Sequence, residues 1–580
     1  MPPPGKRESN GRFRAWRPTY FYSRRALLNK ESALSSFGLQ QFLPAFSLSR
    51  RKPVVRLYFG LLLLLGLLCF RDYGVSWDEE VLRTNGMVSA KYVAGLVAPE
   101  WTARQAKFAN IRDIHGHRDV DHGVLFELPL VLAAKALGVA DSRAYYLMRH
   151  LAVFLVFMAG VWALYQLARW RLHSWRWGLV VCSLLVLSPR FFAEAFYNAS
   201  DIVFMALFTL GVWTLARFLR RPALGTAAVH GLATAAAVDV RVLGVLLVAF
   251  TVGILLVQLL AAPRGPGALR NGLQASGIYL AVTAVGVVAG WPYLWEAPVQ
   301  HLVQVFARLS QYKAWDGQML YLGRIISGQQ LPWHYAPVWI LVTTPVAYVG
   351  AFLLGAGAVL AGVLRRPLGM LRTAEGRLDI LFLGWFCLPL LLVIGLRSVL
   401  YDGWRHLYFI YPALLLLAGR GAQALWAARR RGPRLTWLVR ATAAVAGLEL
   451  AYTAARMWRA HPQQQVYFSF LPPAAATRLF EGDYWGLSYR QGLEWVAAHD
   501  TTAELGVAGQ NDGLIEKNLA IVKPEVRKRF KLVGAARARY YLTAYRKHPE
   551  PYSDSTGREV YRVQAYGQRV LSVFRRPGAR

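Results

Sequence analysis

The sequence predicts an all-α polytopic membrane protein with a small C-terminal α/β domain. Hydrophobic residues make up 55% of the 580 residues, and the mean hydropathy is +0.29. Long apolar runs recur as far as residue 453, and a helix needs roughly 20 apolar residues to cross a bilayer. Beyond that residue the apolar runs end and short strand-like runs begin. These two patterns divide the chain into a membrane part and an extramembrane part.

The first 53 residues are predicted to form a basic cytoplasmic tail. They carry no early apolar core with a cleavage site, so they are not a cleaved signal peptide. The net charge of +35 raises the question of nucleic-acid binding. However, the arginines and lysines fall mainly in short loops between apolar runs, where the positive-inside rule predicts them. We therefore expect no nucleic-acid partner.

The membrane domain is predicted to cover residues 54–453, with about eleven spans. Every second loop is rich in arginine, whereas the first loop on the opposite side, 71–144, is nearly balanced in charge. This asymmetry assigns the two sides of the membrane. The N terminus is then cytoplasmic, and Asp78 lies outside after the first span. The predicted spans are 54–70, 145–168, 176–192, 201–219, 224–240, 242–262, 274–291, 337–363, 378–396, 405–427 and 435–453.

The first outer loop, 71–144, is expected to carry helices that lie along the membrane surface. Its apolar segment 124–138 is short for a span and contains Glu127 and Lys135. If this segment crossed the bilayer, every later loop would change side and the arginine-rich loops would face outward. An interfacial helix agrees better with both length and charge.

Residues 454–580 are predicted to form the extramembrane α/β domain, on the periplasmic side. Strands are expected at 504–508, 539–544, 559–565 and 569–574, with a helical stretch near 514–530. The domain is basic, but long domains cross the membrane largely regardless of their charge.

Three consecutive carboxylates, Asp78, Glu79 and Glu80, follow the first span closely. Charge beside hydrocarbon is costly, so such a cluster calls for a reason. One reason is a catalytic base at the bilayer surface, near a substrate whose tail lies in lipid. The other is an ordinary helix start, where the positive end of the helix dipole stabilises acidic residues. The pattern alone leaves both open.

Other unusual polar and aromatic segments are predicted to gather on the same outer face. Transporters place their polar groups near the bilayer midplane, whereas a surface cluster suits an enzyme with one lipid-bound and one aqueous substrate. An aromatic belt and a solvated histidine loop explain 291–298 and 113–122 more simply. Asp239 and Arg241 suit a structural ion pair as well as a substrate contact. The outer segments are 76–80, 113–122, 188–201, 291–298, 312–334 and 397–411.

The last of these segments combines two arginines with a histidine and an aspartate. Arg397, Asp402, Arg405 and His406 lie within ten residues. Two guanidiniums at the lipid surface suit a phosphate, because they form charge-assisted and often bidentate hydrogen bonds with it. The alternative is that this segment only anchors the chain at the interface.

Several motifs occur in a fixed order along residues 54–495. They are the acidic pair Asp78-Glu79, SPRFFAEAFYNASD (188–201), DVRVLG (239–244), WPYLWEAP (291–298), YLG (321–323), LPWHY (331–335), TTP (343–345), YDGWRHLYFIYP (401–412), HPQQQVYFS (461–469) and DYWGLSYRQGLEW (483–495). Together they resemble a large group of bacterial membrane glycosyltransferases similar to dolichyl-phosphate-mannose protein mannosyltransferases. The resemblance implies the GT-C fold.

The resemblance also implies transfer of a sugar, with inversion, from a polyprenyl-phosphate carrier to an acceptor hydroxyl. Asp78 would act as general base, and Glu79 would orient the acceptor or hold Asp78 in place. The developing charge on the phosphate needs fixed positive partners, and arginines can supply them, so no obligatory metal or other cofactor is expected. The candidate phosphate-binding residues are Arg405, His406, Arg397, Arg241 and Arg190. Sugar or acceptor contacts are expected from Asp201, Asp402, Tyr321 and His334.

The expected partners are a polyprenyl-phosphate-linked sugar, a lipid, glycan or protein acceptor, and the bilayer. The composition is typical of a bacterial protein from high-GC coding, which indicates the inner membrane with a periplasmic active site. A protein O-mannosyltransferase stays open, because the acidic pair does not encode the acceptor. A flippase for a lipid-linked glycan is disfavoured by the few polar residues within the predicted spans. A non-catalytic scaffold is disfavoured by the presence of all the outer motifs.

Overall fold

A computed structural model describes residues 51–261, 266–310, 315 and 317–577. The predicted tail, 1–53, lies outside the described residues except for its last three. The described chain is mostly helical and ends in a small sheet domain, as the predicted fold class requires.

Within the residues that the structure describes, nineteen α-helices precede the sheet domain and its connection. They are α1 (Arg51–Cys69), α2 (Glu79–Val97), α3 (Pro99–Ala103), α4 (Ala106–Ala109), α5 (Glu127–Ala136), α6 (Ser142–Arg171), α7 (Trp175–Val186), α8 (Pro189–Tyr197), α9 (Asp201–Arg220), α10 (Leu224–Val240), α11 (Val245–Ala261), α12 (Pro266–Gly290), α13 (Pro298–Ser310), α14 (Tyr335–Thr343), α15 (Val346–Arg365), α16 (Pro367–Arg372), α17 (Ala374–Gly395), α18 (Tyr411–Ala428) and α19 (Pro433–Ala460).

Six helices of the described chain are long and apolar enough to cross a membrane: α1, α6, α9, α12, α15 and α17. The pair α7 and α8 adds a seventh if it is one span, bent by 72°. The remaining predicted spans are helical too. However, α10 and α11 are shorter, and polar residues interrupt the apolar runs of α18 and α19.

Prolines explain the two breaks that the hydropathy pattern missed. The predicted span 337–363 is instead the two helices α14 and α15, separated at Thr344 and Pro345. The predicted span 176–192 is broken as well, because α7 ends at Val186 and Pro189 begins α8. The residue before each proline is extended, with φ −102° at Thr344 and φ −92° at Ser188, because the proline ring disfavours the helical conformation there.

The C-terminal domain places three helices beside a five-stranded sheet. The order of the strands is β4-β3-β5-β7-β6, with β3 parallel to β4 and β5, and β7 antiparallel to β5 and β6. The strands are β3 (Leu505–Gly509), β4 (Phe530–Leu532), β5 (Tyr540–Ala544), β6 (Arg558–Ala565) and β7 (Gln568–Arg575), and the helices are α21 (Ser488–His499), α22 (Asp512–Leu519) and α23 (Pro524–Arg527).

The four predicted strands are found within one residue of their expected bounds. Strand β4 was not predicted, and the helical stretch expected at 514–530 is the two helices α22 and α23. A tight turn at Tyr566 and Gly567, both with positive φ, joins β6 to β7. Leu493, Val507 and Leu542 lie in the core between α21 and the sheet.

Two short elements connect the membrane helices to this domain. The hairpin of β1 (Gln318–Tyr321) and β2 (Arg324–Ser327) precedes α14, and α20 (Pro473–Leu479) precedes α21. A bridge between Tyr321 and Phe480 joins the hairpin to the residue after α20.

Glycines allow helices α15 and α18 to approach closely. A Cβ at Gly355 would lie 1.9 Å from the carbonyl oxygen of Leu417, and one at Gly421 would lie 2.0 Å from that of Ala351. Small residues at such contacts let helix backbones pack directly in membranes.

We expect Gly355→Ala to destabilise the protein by about 1–3 kcal/mol, because the added methyl overpacks this contact. Thermal unfolding of the purified protein in detergent measures the effect. The matched control is Gly357→Ala in the same helix, where a Cβ would meet nothing within 4 Å. Equal unfolding midpoints for the two variants would contradict the expectation.

Candidate active site

The N-terminal ends of three helices meet at the acidic pair Asp78-Glu79. Asp78 is the N-cap residue of α2, and Asp201 opens α9. Arg405 opens the short 3-10 helix Arg405–Ile410, which leads directly into α18. Helix N termini carry partial positive charge and unpaired amide hydrogens, so this junction favours negatively charged groups.

The Arg405 guanidinium lies between these carboxylates. Its Nη1 donates to Asp78 Oδ2 at 2.9 Å and to Asp201 Oδ2 at 3.0 Å. Its Nε lies 3.4 Å from Asp402 Oδ2. The guanidinium also lies over the rings of Tyr401 and Trp485, at 4.9 and 4.8 Å. One buried cation is thus shared among three anions.

A second arginine engages the other oxygen of Asp201. Arg241 Nη2 lies 2.6 Å from Asp201 Oδ1, and its Nε donates to Ser200 Oγ at 3.0 Å. The Asn198 amide donates to Asp201 Oδ2 at 3.0 Å, and its oxygen accepts from the Asp201 amide at 2.8 Å. Asp201 is therefore held rigidly, with both oxygens occupied.

Asp78 differs from Asp201 because it keeps access to solvent. Its side chain is 30% exposed, against 1% for Asp201. Burial raises the pKa of Asp78, the Arg405 guanidinium opposes this rise, and the charges of Asp402 and Asp201 add to it. The net direction is upward. An accessible carboxylate with a raised pKa is suited to accept a proton.

The C-terminal domain supplies a third arginine to the cluster. Arg546, two residues after β5, pairs with Asp402 and lies 3.2 Å from Glu481 Oε2. Burial raises the pKa of Glu481, against the effect of Arg546. Asp402 adopts a left-handed backbone conformation, with φ +58°. Arg546 belongs to none of the ordered motifs, so no sequence pattern singles it out.

Glu79 points into the protein and holds the turn that presents Asp78. Its Oε2 accepts from the Ser76 amide at 2.7 Å, and its Oε1 lies 3.1 Å from His150 Nε2. Arg149 Nε lies 3.6 Å from the same oxygen and also pairs with Glu127. Glu127, one of the charged residues that indicated an interfacial position for 124–138, thus forms a buried ion pair with Arg149 next to this turn.

Glu80, the third carboxylate, faces outward and pairs with Lys517 of α22. The next residue of that helix, Asn518, holds the segment before Asp78. Its Oδ1 accepts from the Val75 amide at 3.1 Å, and its Nδ2 donates to Val75 O at 3.4 Å. A Cβ at Gly74 would lie 2.4 Å from that Oδ1, so only glycine fits.

Two other predicted phosphate ligands, His406 and Arg190, pack against aromatic side chains. His406 packs edge-on against Tyr401, and its buried Nδ1 has no hydrogen-bond partner within the described residues. Arg190, in α8, donates from Nε to Tyr467 O at 3.0 Å and lies over the Phe468 ring at 5.1 Å. Its buried Nη2 also lacks a partner among the residues that the structure describes.

Arg397, Tyr321 and His334 contact other groups than the carboxylate cluster. Arg397 is exposed and lines a cavity of about 450 Å³ together with Trp333. The Tyr321 hydroxyl lies 2.6 Å from His334 Nδ1, at the β1–β2 hairpin. The structure does not bring these three predicted residues to Asp78.

A buried glutamate in the 188–201 motif extends the cluster inward. Glu194 Oε1 accepts from the hydroxyls of Tyr408 and Tyr484, at 2.9 and 3.1 Å, and its Oε2 accepts from Asn198 at 2.7 Å. These residues lie within three of the ordered motifs, 188–201, 401–412 and 483–495, but motif spacing gave no signal for their pairing.

No protein-family model matches the chain, and no curated protein matches its sequence. Among solved structures, the chain is similar to ArnT from Cupriavidus metallidurans in the apo state, with 14% identity and a TM-score of 0.44 over 90% of this chain and 98% of that one. The undecaprenyl-phosphate-bound form of that protein gives 14% identity and a TM-score of 0.45, over 89% and 97%. The archaeal oligosaccharyltransferase AglB from Archaeoglobus fulgidus, in complex with an inhibitory peptide and a dolichol-phosphate, gives 9% and 0.42, over 84% and 69%.

We expect Asn518→Ala to loosen the segment before Asp78. The substitution leaves the buried Val75 amide without its acceptor, which costs about 1–3 kcal/mol. Hydrogen–deuterium exchange of peptides covering 73–78 should become faster. Glu516→Ala, at an exposed position of the same helix, is the control and should leave the exchange unchanged. Unchanged protection in Asn518→Ala would disprove the anchoring role.

Proposed function

We propose that this protein is a membrane glycosyltransferase that moves a hexose or pentose, with inversion, from a polyprenyl-phosphate carrier to an acceptor hydroxyl. The observation that carries the proposal is the partly exposed Asp78 carboxylate, which bonds to the buried Arg405 guanidinium at the junction of three helix starts. The ordered motifs that resemble membrane glycosyltransferases support the same assignment. We place the reaction at the periplasmic face of a bacterial inner membrane.

In this mechanism Asp78 acts as the general base. The acceptor oxygen attacks the anomeric carbon of the sugar, and its proton passes to the Asp78 carboxylate. The bond between that carbon and the phosphate oxygen breaks, and its electron pair leaves with the lipid phosphate. The transition state has oxocarbenium character, as in glycoside hydrolysis.

The shared hydrogen bonds of Arg405 couple the two halves of this step. Arg405 Nη1 is divided between Asp78 and Asp201 before reaction. When Asp78 takes the proton, its charge is lost and its hold on the guanidinium weakens. The freed N–H can then bind the charge that develops on the leaving phosphate. Arg241, which pairs with Asp201, and His406, the residue after Arg405, would help to bind this developing charge.

Asp201, Asp402 and Glu79 have supporting roles in this proposal. Asp201 and Asp402 fix the two sides of the Arg405 guanidinium, and because their oxygens are already paired with arginines we assign them this positioning role rather than sugar contacts. Glu79 positions Asp78 from below, through the Ser76 amide and the Arg149 and His150 side chains. No step in this scheme requires a metal, because arginines neutralise the phosphate.

Asp78→Asn should reduce turnover by roughly 10²–10⁴-fold, since the amide cannot accept the proton. Envelope lipids and glycans from cells with wild-type protein, no protein or the variant are compared by mass spectrometry. We expect the same hexose or pentose to be missing in the last two, which also identifies the acceptor.

Glu80→Gln, at the exposed neighbouring carboxylate, is the matched control and should keep wild-type glycan. Near-normal turnover in Asp78→Asn would disprove the base assignment. Accumulation of lipid-linked sugar in the null strain, with wild-type behaviour of Asp78→Asn, would instead indicate transport.

The pH profile tests how the cluster tunes Asp78. The base must be ionised, so kcat/KM rises with pH through its pKa. The Asp402 charge raises that pKa, so Asp402→Asn should lower it and move the acid limb to lower pH. Asp554→Asn, at an exposed position in the C-terminal domain, should leave the limb in place. An acid limb in Asp402→Asn that is unmoved or shifted to higher pH would contradict this coupling.

A further inference from the structure

A second group of polar side chains lies where the first membrane helix ends. Cys69 closes α1, Asp72 follows three residues later, and His461 comes directly after α19. Their ligand atoms all lie within 4.8 Å of one another, with His461 Nε2 2.9 Å from Asp72 Oδ2. A thiol and a carboxylate therefore lie beside an imidazole that is 389 residues further along the chain than Asp72.

The three donors match the ligands of one class of metal ion. Thiolate sulfur, imidazole nitrogen and carboxylate oxygen together are typical of Zn²⁺ and similar borderline cations. The ligands of a tetrahedral Zn²⁺ lie roughly 3–4 Å apart, so the observed spacing needs only a small adjustment. The Asp72 and His461 side chains are 47% and 27% exposed, so an ion can enter from solvent.

A hydrogen-bond network behind His461 fixes the direction of its ring. Gln464 Nε2 lies 3.0 Å from His461 Nδ1, and Gln464 Oε1 accepts from the Tyr73 hydroxyl at 3.2 Å. The Tyr73 ring packs edge-on against the imidazole, with centroids 5.3 Å apart. Nε2 is thus directed toward Asp72. A metal-ligating histidine donates its far N–H to an acceptor, so Gln464 must present its oxygen to Nδ1 when an ion binds.

We propose that Cys69, Asp72 and His461 form a binding site for a divalent cation of the Zn²⁺ type, with water as the fourth ligand. Binding releases the thiol proton to solvent and places the imidazole proton on Nδ1. A half-turn of the Gln464 amide presents its oxygen to accept that proton. The ion would join the end of α1 to the end of α19, directly before the segment that carries Asp78.

Direct metal binding by the purified full-length protein tests this site without reference to glycosyl transfer. Co²⁺ is titrated in detergent, and a near-ultraviolet thiolate-to-cobalt charge-transfer band reports sulfur coordination. Zn²⁺ competition and elemental analysis give affinity and stoichiometry. We expect one equivalent and the band in the wild type, and loss of the band in Cys69→Ser.

Cys387→Ser is the matched control, since Cys387 is a partly buried cysteine in α17. It should bind Co²⁺ like the wild type, whereas Gln464→Ala should weaken binding by about 10–100-fold. His461→Gln should also lose tight binding. Wild-type protein that binds no Co²⁺, or an unchanged band in Cys69→Ser, would overturn the proposal. Thermal unfolding without metal verifies that each variant is folded.

Discussion

The arrangement of the site depends on the buried charge of Arg405. Removing a guanidinium from water costs several kcal/mol unless anions and hydrogen bonds replace the solvent. Here Asp78, Asp201 and Asp402 replace it, and two aromatic rings cover its faces. These anions belong to segments far apart in the chain. The need to neutralise one cation therefore holds the starts of α2, α9 and the 405–410 helix together.

The C-terminal domain takes part in the same arrangement. Arg546 neutralises Asp402, and Asn518 holds the backbone at Val75. Arg490, in α21, donates to the carbonyl oxygens of Arg71 and Tyr73 at 2.7 Å. The segment that presents Asp78 is thus supported by membrane helices on one side and by the sheet domain on the other.

Hydropathy and strand patterns predicted much of the fold, because apolar runs and short alternating runs are local signals. They missed the breaks at Pro189 and Pro345, where backbone geometry ends a helix inside a continuous apolar run. They also missed β4, a strand of three residues. Asp78, Asp201, Arg241 and Arg405, which the motifs singled out, lie together in the structure, and their roles stay predictions.

The remaining site residues could not be found in this way. Arg546 belongs to the C-terminal domain, and it lies 144 residues from its partner Asp402. Such pairs depend on tertiary packing, which leaves no periodic pattern in the sequence. Arg397, Tyr321 and His334 lie in or near recognisable motifs, yet their contacts are made elsewhere.

The order of the strands has a consequence for biosynthesis. Strand β7 lies between β5 and β6, so β5 has no neighbour on that side until residues 568–575 have been made. Arg546 follows β5, and its partner Asp402 belongs to a part of the chain that is translated much earlier. Arg405, which pairs with Asp402 in the same part of the chain, is translated before Arg546. The sheet domain therefore supplies the later of the two cations that neutralise Asp402.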